Sequence, residues 1–351
     1  MAERAGAGAD SDVTCSNGQG ACCVFDVDGV FRLGHLSVPG ATGALASLRE
    51  AGVPHVFLTN TSASPQASSQ ELAHALDGTY VDPADIIVSH SPFQDLLSPF
   101  RVSERPILVV GIDNVSAGDV ETLYHIPHAV STDDVYRCLP ASCVPALAGI
   151  HSPANDEGVM RDAHAQFAAV AVMADSNNLT RDMQLVLDAL RFDGHCHPDD
   201  IRQFLDNGGD DRRQHIPIFF ANPDMVYGAA HPAPRLTQGC FRLMLESMFK
   251  ALTGQALDVV QAGKPSAISY EYAAGLLRDK GGAGSVFMVG DNPASDIRGA
   301  NRVGWTSCLV RTGIGARVDT ETLPEEDRPA MVFPTVVEAI AHIVKVHTGK
   351  V

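Results

Sequence analysis

The sequence predicts an α/β fold: a doubly wound parallel-sheet core interrupted by an inserted α/β domain. Two series of alternating apolar strands and amphipathic helices, one at each end of the 351 residues, predict the core. A long middle section with its own alternation predicts the insert. Paired acidic motifs on both sides of that section favour an interrupted core over two consecutive domains.

The first series begins at Ala21–Phe25, a continuous apolar run suited to a strand buried on both faces. A helix over 39–51 follows, with Leu45 and Leu48 inward and Gly52 as its stop. A second buried strand is expected over 53–58, then a helix over 64–76 with Pro65 in its first turn. The closing series has helices at 235–252, 266–277, 296–303 and 336–346, with strands at 285–289 and 306–310. In the middle, strands are expected at 106–110, 167–173 and 217–220, and helices at 131–138 and 180–190. Gly and Pro clusters at 152–158 and 206–211 punctuate it. The resulting organisation is an N-terminal segment, 1–20, expected to be disordered; a core of 21–88 and 223–351; and an inserted domain of 89–222.

Composition removes several classes of function. Hydrophobic residues at 45% and charged residues at 19% describe a chain with enough apolar side chains for full cores. A formal charge of −17 provides no basic face for nucleic acid, but a local cation in a pocket can still admit a phosphorylated small molecule. No apolar stretch reaches bilayer length, so no membrane insertion is expected and a membrane lipid synthase is excluded. Residues 1–20 lack the apolar segment of a secretory signal and are acidic for a transit peptide. A cytoplasmic location is expected, with a mitochondrial one as the alternative. Eight scattered cysteines do not make a disulfide framework, and Cys22 and Cys23 read as buried, reduced strand residues. His195-Cys196-His197 reads as a loop, because no second ligand cluster stands at suitable spacing.

Four short motifs carry the chemistry. Asp26-Val27-Asp28-Gly29-Val30 follows the carboxyl end of the first strand, where open α/β sheets bind ligands. There Asp26 can attack phosphorus and Asp28 can pass a proton to and from the leaving oxygen; a turn with two solvated carboxylates is the plainer alternative. Thr59 and Asn60 end the second strand and offer donors to a phosphoryl oxygen, or simply a turn. Gly263-Lys264-Pro265 sets a lysine before a helix. Gly290-Asp291-Asn292-Pro293-Ala294-Ser295-Asp296 follows another buried strand. An acidic loop would explain Asp296 as a helix cap but not Asp291. With Asp26 and Asp28 this makes four carboxylates at strand ends of one sheet. Crowding them calls for a compensating cation, and all-oxygen ligands point to Mg2+.

In this order and spacing the motifs resemble those of the haloacid dehalogenase superfamily. The resemblance implies Asp26 as nucleophile, Asp28 as general acid/base, Thr59 and Asn60 as phosphoryl ligands, and Lys264 orienting nucleophile and phosphate. It further implies Mg2+ held by Asp26, the Asp28 carbonyl and Asp291, with Asp296 behind them. Asp at position 28 is similar to the phosphatase and phosphomutase branches. Little chain separates Asp26 from Thr59, whereas the stretch from Thr59 to Lys264 far exceeds one strand–helix unit. That placement resembles class IIA, whose α/β cap lies between the second and third motifs, and Phe220-Ala221-Asn222-Pro223-Asp224 is similar to its return segment. Ile87-Val88-Ser89-His90-Ser91-Pro92-Phe93 and Gly263-Lys264-Pro265-Ser266 resemble the cat-eye-syndrome-critical-region type of that class. The implied activity is Mg2+-dependent hydrolysis of a small-molecule phosphate monoester, with a low-turnover binding or regulatory protein on the same fold as the alternative. The partners this leaves are the phosphorylated substrate and a second copy of the chain joined through the cap. Asp175, Ser176, Asn177 and Asn178 are the cap residues expected at the leaving group, against a plain turn.

Overall fold

The computed structural model of the protein describes residues 20–111, 117–139, 164–227 and 231–350. The expected segment 1–20, save Gly20, and the 152–158 cluster lie outside them. The chain forms two compact units: Met1–Phe57 with Ala75–Thr79 and Ala274–Val351, and Leu58–His74 with Tyr80–Ala273.

In the first unit the parallel strands run in the order Met331–Phe333, Thr306–Val310, Ser285–Gly290, Ala21–Phe25, His55–Leu58. Every residue of Ala21–Phe25 is buried, because a strand in mid-sheet carries helices on both faces. Phe25 pairs with Val289 on one side and Phe57 on the other. Phe25, Phe31 and Phe57 pack with ring centroids 5.3–6.1 Å apart and anchor the core beneath the strand ends. From Ala21–Phe25 the chain proceeds to His55–Leu58 on one side, while Ser285–Gly290 lies on the other and leads away to Thr306–Val310. The strand order therefore reverses between Ala21–Phe25 and Ser285–Gly290, where doubly wound sheets open a crevice at their carboxyl ends.

The helices fall where the apolar spacing placed them, at Ala41–Glu50 and Val336–Thr348. The helix expected at 296–303 is instead a π-helical turn, Pro293–Ile297, running into a short α-helix, Arg298–Arg302. Asn292, not Asp296, caps it, accepting from the Ala294 N–H at 3.1 Å. Cys22 and Cys23 are buried and free, as expected.

The second unit contains a parallel sheet in the order Val260–Gln261, Ile218–Phe220, Ala169–Val172, Ile107–Val110, Ala129–Ser131. Val260–Gln261 and Ala129–Ser131, at its edges, are too short to leave a periodic signal. Helix Leu179–Arg191 lays Leu185, Val186 and Leu190 on one apolar core with Phe220, Phe241 and Phe249. The expected helix over 235–252 starts later, at Gln238, because Arg235–Leu236 pairs with Val226–Tyr227 as a two-stranded ribbon.

A buried ionic network closes the start of helix Leu179–Arg191. Asn178 caps it, accepting from the Arg181 N–H at 3.1 Å. Arg181 donates to Asp182 at 2.8 Å, to Asn177 at 3.0 Å and to Asp133, and the Ser176 hydroxyl donates to Asp182 at 2.6 Å. Asp175 accepts from the Thr237 hydroxyl at 2.5 Å. The 175–178 side chains are therefore engaged in building the unit. Arg181→Met leaves the fully buried Asp182 carboxylate without its cation, so a loss of about 3–5 kcal/mol is expected in denaturant titrations. Adding Asp182→Leu is expected to recover much of that loss, since the stranded charge goes too.

His90 sits in the same unit against Tyr124, its Nδ1 2.5 Å from the phenolic oxygen, while the Tyr124 hydroxyl donates to the His90 carbonyl at 3.0 Å. Burial pushes the imidazole down to about 4. The unfolded chain therefore takes up a proton near pH 6.5 that the folded chain refuses until about 4. This contribution is full above pH 6.5 and fades as pH falls toward 4, a loss of about 2 kcal/mol at pH 5. The fall in unfolding free energy from pH 7 to pH 5 is expected to shrink by that amount in His90→Asn.

Candidate active site

Three carboxylates meet at the reversal point of the first unit's sheet. Asp26 continues the ladder beyond Phe25, its N–H donating to the Val289 carbonyl at 2.9 Å. Asp291 follows Gly290 on the neighbouring strand; the register sets Phe25 opposite Val289, so Asp26 and Asp291 leave adjacent strand ends, about 4.8 Å apart, one residue out of step. The π-helical turn folds Asp296 back toward the strand, where it accepts from the Asn292 N–H at 3.0 Å. One oxygen from each of Asp26, Asp291 and Asp296 lies within 4.8 Å of the other two. The residues are 7%, 4% and 0% exposed, respectively, so little water screens them.

Glycines let the backbone press against this cluster. Gly29, at φ +84°, has no room for a Cβ, which would stand 2.0 Å from Asp291 Oδ2. A Cβ on Gly313 would also meet that oxygen at 2.0 Å, and a Cβ on Gly290 would strike the Asp296 Cβ at 2.3 Å. The loop after Thr306–Val310, to which the sequence assigned no role, completes the enclosure. Its Ile314 N–H donates to Asp291 Oδ2 at 2.7 Å, and the Thr312 hydroxyl donates to the Gly29 carbonyl at 2.5 Å. Nothing in the composition of Thr312-Gly313-Ile314 signals this; only the strand order brings the loop over Asp291.

Asp28 does not join the cluster. Its carboxylate is 58% exposed and lies on Arg32, with Nε 2.8 Å from Oδ1 and Nη2 3.4 Å from Oδ2. Crowding by acids, expected for four carboxylates, therefore holds for three. Strand alternation would put Asp28 on the same face as Asp26, but the strand ends at Phe25 and the turn that follows brings Arg32 back onto Asp28.

The second unit contains the other motif residues. Asn60 and Lys264 exchange two hydrogen bonds: the Lys264 N–H donates to Asn60 Oδ1 at 2.7 Å, and Asn60 Nδ2 donates to the Lys264 carbonyl at 3.0 Å. Asn60 Nδ2 also lies 3.2 Å from Asp224, and Asn222 Nδ2 donates to the Asn60 carbonyl at 3.0 Å. The amide of Asn60 thus fixes the backbone of Lys264, and the 220–224 segment braces it. Gly263, at φ +77°, passes so close to Ala221 that a Cβ would lie 2.7 Å from its carbonyl oxygen. Lys264 itself is buried. Thr59 is buried too, its N–H donating to the Ile87 carbonyl at 2.9 Å and its hydroxyl accepting from the Thr61 N–H at 3.3 Å.

Buried carboxylates at the carboxyl ends of adjacent parallel strands, with no imidazole or thiolate among them, are a donor set that fits a hard cation such as Mg2+. Comparison with known proteins agrees with the class this defines. Residues 23–119 match the family model described as haloacid dehalogenase-like hydrolase, and residues 261–339 match a second hydrolase model of the same superfamily. The mitochondrial hydrolase YKR070W of Saccharomyces cerevisiae is 30% identical over 90% of this chain and 93% of its own length. A cardiolipin synthase/mitochondrial hydrolase fusion protein of Schizosaccharomyces pombe is 32% identical over 84% of this chain, which spans 48% of the fusion. A solved p-nitrophenyl phosphatase from Archaeoglobus fulgidus superposes with a TM-score of 0.60 at 19% identity, covering 92% of this chain and 99% of that one. The chain belongs to the haloacid dehalogenase-like hydrolases. No helix among the described residues is long and apolar enough to cross a membrane.

Proposed function

We propose that this hydrolase is a Mg2+-dependent phosphatase that cleaves a small-molecule phosphate monoester through an aspartyl-phosphate on Asp26. The observation that carries the reading is the buried cluster of Asp26, Asp291 and Asp296 at the reversal point of the sheet. Asp26, Asp291 and the main-chain carbonyl of Asp28 would hold the cation, with Asp296 supporting them. Bound there, Mg2+ supplies positive charge to a phosphoryl group and to the carboxylates around it. Lys264 and Thr59 neutralise and orient the phosphoryl oxygens. Asn60, whose amide holds Lys264 in place, adds its main-chain N–H.

In the first step an Asp26 carboxylate oxygen attacks phosphorus, the bond to the ester oxygen breaks, and Asp28 gives that oxygen its proton. In the second, Asp28 takes a proton from water as it attacks phosphorus. The bond to Asp26 breaks and inorganic phosphate leaves. For both transfers Asp28 turns from its ion pair with Arg32 toward the ester oxygen. Residues 89–222 act as a cap that selects the leaving group, and 21–88 with 223–351 make up the catalytic core. The phosphatase named among the solved relatives supports the reaction class. The mitochondrial names of the two yeast relatives support the alternative location, which fractionation of cells expressing the full chain tests.

A phosphate-release screen over many phosphorylated metabolites tests the reading. We expect turnover of at least one class of monoester in Mg2+ and no release by Asp26→Asn. Absence of release across the whole set by the folded wild-type chain overturns it.

A further inference from the structure

The histidines at 195 and 197 have no part in the carboxylate site, yet the fold supplies the ligand cluster that their sequence neighbourhood lacks. Gln166 donates from its side chain to the Asp193 carbonyl at 3.0 Å, and the Phe167 N–H donates to the Gly194 carbonyl at 2.9 Å. These bonds clamp the segment entering strand Ala169–Val172 onto the loop that precedes helix Pro198–Asp206. His164 therefore stands beside His197, the cap residue of that helix, and Asp200 in its first turn. The two imidazoles stack with centroids 3.7 Å apart, and His164 Nδ1 lies 2.9 Å from Asp200 Oδ2. One donor atom from each of His164, His197 and Asp200 lies within 4.8 Å of the other two.

We propose that His164, His197 and Asp200 bind a divalent first-row transition ion of the zinc type, at a site separate from the hydrolase centre. Two imidazoles and one carboxylate are a donor set for such ions, whereas Mg2+ and Ca2+ take oxygen. Ligands on a tetrahedral ion with bonds of about 2.0–2.1 Å stand about 3.3 Å apart, so the observed spacing needs only small side-chain movements. A supporting carboxylate is near: Asp199 Oδ2 lies 4.0 Å from His197 Nδ1, and a small side-chain movement brings it into hydrogen-bond range. Ligation through Nε2 puts the ring proton on Nδ1, exchanging its 3.3 Å bond from the Asp199 N–H for donation to that carboxylate. Asp200 also lines a depression of about 520 Å3 with His195, Gln203 and Asn207, which gives solvent or a small ligand access to a further coordination position.

The test is zinc titration calorimetry on the full chain, stripped by chelator and returned to excess Mg2+ so that the carboxylate centre does not compete. One equivalent is expected to bind in wild type and in Asp26→Asn. His164→Ala and Asp200→Asn are each expected to weaken binding at least about tenfold. His164 is 43% exposed, so its metal-free melting should match wild type and a lost fold cannot mimic a lost site. Cobalt absorption gives a second readout: visible d–d bands in wild type, absent in His164→Ala. No zinc uptake in Mg2+ overturns the proposal. Wild-type zinc affinity in both variants also overturns it, by placing the ion on other groups.

Discussion

Asp26→Asn is expected to lower phosphate release by more than about a thousandfold while leaving the fold intact. The amide is nearly isosteric with the carboxylate and keeps the main-chain bond from Asp26 to Val289. It cannot form an aspartyl-phosphate, and replacing a nucleophile removes a step that the remaining residues do not share. The variant also has a readout that needs no substrate. Asp26, Asp291 and Asp296 repel one another in a poorly solvated crevice, so removing one charge is expected to hold or raise the melting temperature in chelator. Turnover within about tenfold of wild type on any good substrate would mean that another group attacks phosphorus.

The second large effect is loss of activity in chelator, with recovery in Mg2+ and none in Ca2+. Ca2+ accepts more ligands and bidentate carboxylates; a carboxylate engaged through both oxygens is no longer a nucleophile. Mg2+ is also expected to raise the melting temperature of wild type, since a cation held by the three acids would bind only their folded arrangement. Asp291→Asn should blunt that rise without removing the attacking group. Full turnover in chelator, or Ca2+ serving as well as Mg2+, would sink the cation assignment.

Much of the fold was legible because buried parallel strands are written as continuous apolar runs. Ala21–Phe25 and Thr306–Val310 fall where the sequence placed them, and the main helices differ by only a few residues at their ends. What escaped was short or at an edge. Ala129–Ser131 and Met331–Phe333 hold three residues each, too few for a period, and their pairing comes from neighbours distant in sequence. The helix expected over 296–303 has the right residues, but Asn292 and Asp296 bind main-chain groups and wind its start as a π turn.

The site divides in the same way. That Asp26, Asp28, Asp291 and Asp296 follow buried strands is a local property, fixed by where the apolar runs end, and it was readable without a structure. Which of them converge is not local. Strand order puts Asp26 beside Asp291, and the turn after Val27 sends Asp28 to Arg32 instead. Asn60 illustrates the limit of residue type: an amide suited to a phosphate is engaged with the Lys264 backbone far along the chain. His197 shows the opposite limit, since His164 and Asp200 become its neighbours through strand and helix packing that spacing does not encode. The sequence by itself determined the layered α/β class, the motif residues and the sign of the local charge, because each depends on a few consecutive side chains. Only the tertiary structure decided which polar groups share a crevice, because that depends on the lateral order of strands that meet long after the chain has left them.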